Sequence, residues 1–285
     1  MKDLEKTSSI FVLFTIILAF SAAHATYAVG ENVTPPIIAT INVGNSPQGV
    51  AYASSKGEIF VAAYGSNSVL AISDSSNVIV ANIPMESSAM PFGLAYDSGK
   101  GEIFVANSGD DTVSVISDST NAVVATVNVG YLPYGVVYDS GKGEIFVANL
   151  FSNFVSVISD STNTVVATVN MQNLPYGLAY SGKGEIFVGN NDANIVSVIS
   201  DSTNEVISTI EGVGSPSGVA YDSGKGEIFI ANEDGGQVFV ISDDASVSPS
   251  PTVPEFSTSG LILLAAALVA VTFCAVALAV RKPKK

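Results

Sequence analysis

A four-residue phrase, Gly-Glu-Ile-Phe, occurs five times along the chain at nearly regular intervals. Its glutamates are Glu58, Glu102, Glu144, Glu185 and Glu227, which are 44, 42, 41 and 42 residues apart. A Pro-x-Gly precedes each copy, at Pro47, Pro91, Pro133, Pro175 and Pro216. A period of about 42 residues made of short β segments is typical of β-propeller blades.

A complete repeat contains four candidate strands separated by turn residues. In the third repeat these are residues 134–138 (strand a), 144–148 (strand b), 154–158 (strand c) and 164–169 (strand d). β-Branched and aromatic residues fill the strands, and Gly, Asp, Asn and Ser fill the turns. Strand b is continuously apolar, which indicates a strand buried on both faces between neighbouring blades.

The two ends of the repeat array suggest how it closes. The last repeat has no strand d, whereas residues 37–43 (IIATINV) match strand d of the second repeat, residues 123–129 (VVATVNV). We therefore expect an all-β, five-bladed β-propeller of four-stranded blades over residues 37–245, with the first strand completing the last blade. Closure of this kind removes exposed strand edges.

The repeats resemble a known family. Phe104-Val105-Ala106-Asn107, the strand c that begins at Thr112, and Pro133-Tyr134-Gly135 are similar to the YVTN-type β-propeller repeats of archaeal surface-layer proteins. The resemblance covers all five units, with Phe-Val-Ala-Asn in place of Tyr-Val-Thr-Asn and with Ala63 in place of the Asn in the first unit. Members often have seven blades. The resemblance implies an extracellular structural or recognition module, with no single activity to transfer.

The N-terminus has the features of an export signal. Residues 10–20 are apolar apart from Thr15, and Ala23-His24-Ala25 is a cleavage signal, so residues 1–25 read as a signal peptide. An uncleaved N-terminal anchor is the alternative, because Asp3 and Glu5 cancel the usual positive start. Residues 26–36 form a leader that contains the chain's one N-glycosylation sequon, at Asn32.

The C-terminus has the features of a membrane anchor. Residues 246–259 form a Pro/Ser/Thr-rich stalk, 260–280 are 21 uncharged residues, and 281–285 are a basic tail. This order predicts a transmembrane segment with the tail in the cytoplasm and the propeller outside. Pro254, Glu255 and Phe256 before the span resemble the PEF-type sorting signals of archaeal surface proteins. That resemblance implies a sorting enzyme that cuts near the motif and attaches a lipid, so the membrane anchor is either the span or a lipid.

Charge and composition exclude several functions. Residues 37–245 contain 22 Asp plus Glu against 5 Lys and no Arg, a net charge of −17, which repels nucleic acid. The one histidine, His24, and the one cysteine, Cys274, lie outside this region. Histidine-based catalysis and His or Cys metal sites are therefore impossible there. We expect no cofactor and no enzymatic activity. A glycosidase with paired carboxylates stays an alternative, although the repeated glutamates read as fold residues.

Calcium binding is a further open alternative. The b–c loops contain Asp110, Asp111, Asp192 and Asp234, and carboxylate oxygens suit Ca²⁺. The same residue types are also the ordinary residues of turns.

The connections between strands divide into a uniform and a variable set. The a–b and c–d turns recur almost unchanged, whereas the b–c and d–a loops differ in every unit. We expect a recognition patch on the variable side for a protein or glycan partner at the cell surface, with a lectin-like carbohydrate-binding propeller as the alternative. Its candidate residues are Met90, Phe92, Tyr131, Tyr134, Leu150, Phe151 and Tyr176. Neutral drift of the loops, with Phe92, Tyr134 and Tyr176 in the core, is the competing explanation.

Overall fold

A computed structural model describes residues 37–243, and it is all-β in this region. Nineteen strands form five antiparallel sheets in chain order, which we call sheets I to V. The strands are β1 (Pro47–Ala53), β2 (Glu58–Ala63), β3 (Ser68–Ser73) and β4 (Ile79–Pro84) in sheet I; β5 (Pro91–Asp97), β6 (Glu102–Asn107), β7 (Thr112–Ser117) and β8 (Ala122–Asn128) in sheet II; β9 (Pro133–Asp139), β10 (Glu144–Asn149), β11 (Phe154–Ser159) and β12 (Thr164–Asn170) in sheet III; β13 (Pro175–Tyr180), β14 (Glu185–Asn190), β15 (Ile195–Ser200) and β16 (Glu205–Glu211) in sheet IV; and β17 (Pro216–Asp222), β18 (Glu227–Asn232) and β19 (Gln237–Ser242) in sheet V.

The strands run in simple up-and-down order within each sheet, so consecutive strands are neighbours. In sheet III, β10 lies between β9 and β11, with Glu144 opposite both Asp139 and Ser159. The four strands predicted for this repeat are confirmed, each with one or two further residues at its ends. This order places the a–b and c–d turns at one end of the strands, which we call the turn edge of the sheet. The b–c and d–a loops lie at the other end of the strands, which we call the variable edge.

The apolar core lies between successive sheets. Four clusters fill the four junctions from sheet I to sheet V. At the junction of sheets II and III, Phe104 and Val115 pack against Ile145 and Ile158, and all four side chains are fully buried. The continuous apolar sequence of strand b follows from this stacking, because each central strand is covered on both faces.

The predicted closure of the array by residues 37–43 is wrong in this structure. These residues contain no strand, the side chains of Ile37 and Ile38 are 86% and 90% exposed, and sheet V has three strands. The d strands that are present bury few side chains. Val124 of β8 and Val166 of β12, for example, are about half exposed. Each of these d strands also follows its partner through a short turn. A d-type sequence therefore has little apolar driving force to close a loop of about 200 residues, whose cost grows with length.

Several predicted segments lie outside the described residues. They are the signal peptide, the leader with Asn32, the stalk with Pro254, Glu255 and Phe256, the transmembrane segment and the basic tail. By compactness the chain divides between Asn42 and Val43, and all nineteen strands belong to the second unit. No helix of membrane-spanning length and apolarity occurs in the part of the chain that the structure describes.

Candidate functional site

The uniform turns are structural devices that hold neighbouring sheets together. In the a–b turn of sheet III, Asp139 Oδ1 accepts a hydrogen bond of 2.8 Å from the backbone N–H of Gly141, and Gly143 follows with a φ of 68°. Lys142 then reaches across to donate to the backbone carbonyl of Asp201 in sheet IV. Lys56 and Lys100 make the same bond to Asp118 and Asp160 of their next sheets.

The strand-b glutamates belong to this structural edge. Glu102 pairs in register with Asp97, and Glu144 with Asp139, at the turn edge of sheets II and III. Burial raises the pKa of both glutamates, and Lys100 and Lys142 partly oppose that rise. The same arrangement recurs in two successive sheets, as expected for residues that serve the fold.

The inner strands come unusually close to one another at each Pro-x-Gly. A β-carbon on Gly135 would overlap the backbone carbonyl oxygen of Tyr176, and Gly177 stands in the same relation to Ser217. Gly49 and Gly93 repeat the contact with the carbonyls of Phe92 and Tyr134. Glycine is required there because any side chain would hold the neighbouring backbones apart.

The side chain of the residue between Pro and Gly points into the space between the inner strands. Phe92, Tyr134 and Tyr176 occupy this position in sheets II, III and IV. Their ring centroids are 3.8 Å apart from Phe92 to Tyr134 and 4.9 Å from Tyr134 to Tyr176. Tyr64, in a 3₁₀ turn (Tyr64–Ser66) after β2, meets Phe92 edge-on at 6.3 Å. We call these four rings the aromatic arc.

Three rings of the aromatic arc, Phe92, Tyr134 and Tyr176, line a cavity of about 300 Å³ to which all five sheets contribute. The other two side chains at the same motif position, Gln48 and Ser217, also line it. Burial raises the pKa of the Tyr134 and Tyr176 phenols, and for Tyr176 the nearby Tyr134 and Glu233 raise it further. Both phenols are therefore neutral near pH 7, and they present hydroxyl groups beside apolar ring surface.

Two other predicted residues form a second, exposed aromatic pair. The rings of Tyr131 and Phe151 lie 5.9 Å apart, and each side chain is 56% exposed. The backbone joins them too, because Phe151 N–H donates to Tyr131 O at 3.3 Å. Ser152 Oγ accepts from Tyr131 N–H at 2.7 Å, which fixes the d–a loop on the b–c loop.

The remaining two predicted residues have different environments. Leu150 is 8% exposed and belongs to the core, so its assignment to a recognition surface is wrong. Met90 is 41% exposed in the loop before β5 and has a φ of 48°. Its N–H donates to Asn67 Oδ1 at 2.8 Å, which ties this loop to sheet I.

A buried asparagine at the end of strand b supports the variable loops. Asn149 is fully buried, and its Nδ2 donates to Ser156 Oγ at 2.9 Å and to the carbonyl of Phe154 at 3.1 Å. Its Oδ1 accepts from Gly130 N–H at 2.9 Å, in the loop that leads into β9. Asn149 therefore supports both the b–c loop and the loop that leads into β9 at the variable edge of sheet III.

The four aspartates considered for calcium form hydrogen bonds among the variable loops: Asp110 within its own b–c loop, and the other three with a d–a loop. Asp110 Oδ1 accepts from Thr112 Oγ1 at 2.7 Å, and Asp111 Oδ1 accepts from Leu132 N–H at 3.0 Å. Asp234 accepts from Ser215 Oγ, and Asp192 lies 3.5 Å from Asn173 Nδ2. Within residues 37–243 no group of three or more acidic, histidine or cysteine side chains is arranged to hold a metal ion.

Sequence reasoning found three of the four rings of the aromatic arc and missed Tyr64. The first repeat departs from the others after Ala63, and nothing in its local sequence predicts that Tyr64 turns toward Phe92. Gln48 and Ser217 were also missed, although their place in Pro-x-Gly is visible in the sequence. The motif position itself was the signal that could have found them.

Five stacked antiparallel sheets whose inner strands surround a cavity define a protein of the β-propeller class. The chain belongs to the YNCE-like β-propeller family, whose model matches residues 66–248. Among solved structures it is similar to the hydrazine synthase of Kuenenia stuttgartiensis, with a TM-score of 0.56 and 13% sequence identity over 73% of this chain and 81% of that chain. At this identity the likeness is one of fold. A search of curated proteins gave no match.

Proposed function

We propose that the protein is a non-catalytic recognition module displayed at the cell surface, and that the cavity beside the aromatic arc is its binding site. One observation carries the proposal: a single position of an otherwise constant motif changes from sheet to sheet and faces one shared cavity. The five residues at that position are Gln48, Phe92, Tyr134, Tyr176 and Ser217. A rigid frame that presents different side chains around one cavity is the usual form of a binding site.

The chemistry of the cavity limits the ligand. Its volume of about 300 Å³ accepts a small molecule or one side chain of a partner protein. The rings offer apolar surface with neutral hydroxyl groups, and the net charge of −17 over residues 37–245 disfavours anions. We therefore expect a neutral or cationic group with an apolar part, such as an aromatic or basic side chain of a surface protein.

The location at the cell surface rests on the two ends of the chain. An apolar segment with a cleavage signal precedes the propeller, and an uncharged stretch of 21 residues with a basic tail follows it. These features support export, with anchoring by the span or by a lipid added at Pro254-Glu255-Phe256. Protease treatment of intact cells tests the location, because an epitope tag in the exposed c–d turn at Thr162 is removed only if the propeller lies outside.

The binding proposal is tested by capture of surface proteins on the purified full-length protein, followed by identification of what is bound. We expect Tyr134→Ala to reduce capture at least tenfold, and Val124→Ala, on the exposed outer strand β8, to leave it unchanged. A thermal unfolding curve of each variant confirms that the fold is intact. Equal capture by a folded Tyr134→Ala protein and the unchanged protein would remove the cavity as the site.

A carbohydrate ligand is the second candidate, and the exposed pair of Tyr131 and Phe151 favours it. Exposed aromatic faces provide surface on which a sugar ring can stack. A glycan array probed with the full-length protein separates the two candidates. Sugar binding that is lost with Phe151→Ala and kept with Tyr134→Ala would support the lectin function and place it at the outer pair.

A further inference from the structure

The four junctions between successive sheets share the same three contacts. A glycine of one inner strand lies against a carbonyl of the next, a turn lysine reaches the next sheet, and two apolar side chains of strand c are covered by that sheet. At the junction of sheets III and IV these are Gly135, Lys142, Val155 and Val157, and both valines are fully buried. These features together define what one sheet presents to the sheet that follows it.

Sheet V has residues of the same kinds at these positions. Among the described residues of this chain, no following sheet contacts them. Gly218 occupies the glycine position, yet the nearest atom to its would-be β-carbon is Ala231 Cβ of its own sheet, 3.8 Å away. Lys225 Nζ lies 3.8 Å from Glu227 in its own sheet. Val238 and Val240 are 60% and 53% exposed, although their equivalents in sheets II to IV are buried.

Sheet I shows the complementary features along its inner strand β1. Val50 is 62% exposed, whereas its counterparts Leu94 and Leu178 are each 9% exposed under the preceding sheet. Tyr52 is 53% exposed, and its hydroxyl donates at 3.0 Å to Asp74 of its own sheet. In the middle strands Val61 and Leu70 are buried, so the exposed large apolar side chains of sheet I lie on its two edge strands: Val50 and Tyr52 on β1, and Val80 on β4.

We propose that the free face of sheet V binds β1 and the neighbouring turn of sheet I in a second copy of this chain. By analogy with the four internal junctions, Gly218 meets the backbone at Gln48, Lys225 reaches the carbonyl of Asp74, and Val238 and Val240 are covered. The contact joins sheet V of one copy to sheet I of the other. Each pair therefore retains one free sheet V and one free sheet I. Association of this type continues head to tail.

A second copy is favoured over the chain's own sheet I because β1 and the free face of sheet V are both exposed in the same molecule. The four internal junctions use equivalent contacts, and in this structure they leave Val50 and Val240 exposed together. Binding a second copy preserves these junctions. The net charge of −17 over residues 37–245 opposes association, so screening by salt favours it.

Cysteine cross-linking between two differently tagged full-length proteins tests the contact. Both carry Cys274→Ser; one also carries Lys225→Cys and the other Asp74→Cys. With a short bismaleimide reagent, we expect a product of twice the chain mass when the two are mixed, and little product from either alone. A protein that carries both cysteines and links them only within one chain would overturn the proposal, as would the absence of product in the mixture.

Sedimentation velocity provides a second, independent test. We expect the unchanged protein to form larger species as protein concentration and salt rise. Val240→Asp should weaken this association at least tenfold, because it places a charge on the contact. Val166→Asp is the matched control, since that valine is 52% exposed on the outer strand of sheet III. Equal association of the two variants, or monomers at all concentrations, contradicts the proposal.

Discussion

A β-carbon on Gly93 would overlap the backbone carbonyl oxygen of Tyr134 on the neighbouring inner strand. The contact shows that the glycine of Pro-x-Gly sets how closely two sheets approach, while the residue before it faces the cavity. The three-residue motif thus separates a packing position, the glycine, from a position that lines the cavity.

Gly93→Ala should destabilise the protein by about 3 kcal/mol, because the added methyl group forces two backbones apart. Gly218→Ala is the matched control, since only Ala231 Cβ lies near, at 3.8 Å, and we expect little effect on the unfolding of the monomer. Urea unfolding of both variants at low protein concentration measures the difference. Similar losses for the two would show that close approach of the inner strands is not what the glycine provides.

Asn149 and Ser156 should be energetically coupled. Asn149→Ala leaves Gly130 N–H and Ser156 Oγ without their partner in a buried site, and we expect a loss of about 3 kcal/mol. Adding Ser156→Ala to Asn149→Ala should cost less than Ser156→Ala alone, with a coupling energy of about 1 kcal/mol. Chemical denaturation of the four proteins in the cycle gives this energy. Pairing Asn149→Ala with Val124→Ala, a distant exposed site, should give simple additivity.

Glu144 should make the protein more stable in mild acid than at neutral pH. Burial raises the pKa of this carboxyl in the folded state, although Lys142 opposes the rise. A raised acid pKa means that the stabilisation is complete below the unfolded pKa of about 4.3 and is lost as pH rises through the folded value. Glu144→Gln should therefore raise the unfolding midpoint at pH 7, and the gain should vanish near pH 4. Val166→Ala, which replaces an exposed side chain and removes no ionisable group, should show no pH-dependent change.

The phenol of Tyr180 should titrate late. Its burial and its hydrogen bond with Asp139 of the preceding sheet raise the pKa of Tyr180 to about 12. The neutral phenol is favoured in the fold, so its stabilisation is present below about pH 10 and is lost as pH rises toward 12. In an alkaline titration followed by tyrosinate absorbance, Tyr180→Phe should have one fewer late-titrating group than the unchanged protein. Loss of an early-titrating group instead would contradict this environment.

The sequence predicted the strands well because strand and turn each have a local cause. Asn121 and Asn163 adopt a positive φ in the c–d turns, and Gly101 and Gly143 do so in the a–b turns, so these residue types mark the strand ends. The apolar run of strand b predicted burial on both faces. None of these inferences needs information about which sheets meet.

The sequence failed where the outcome depends on distant partners. Residues 37–43 have the composition of strand d, yet a strand that buries few side chains is specified weakly by its own sequence. Leu150 reads as a loop residue and is buried, because the fold of the b–c loop decides its direction. The approach of Tyr64 to Phe92 joins two sheets and has no local signature.

The position between Pro and Gly has a consequence for how proteins of this architecture diversify. Each sheet contributes one interchangeable side chain to the cavity, and the adjacent glycine makes the backbone contact that joins the sheets. Substitutions at five positions therefore change the lining of the cavity without changing the contacts that join the sheets. These positions are Gln48, Phe92, Tyr134, Tyr176 and Ser217. Duplicated units of this kind therefore supply many differently lined cavities on one scaffold.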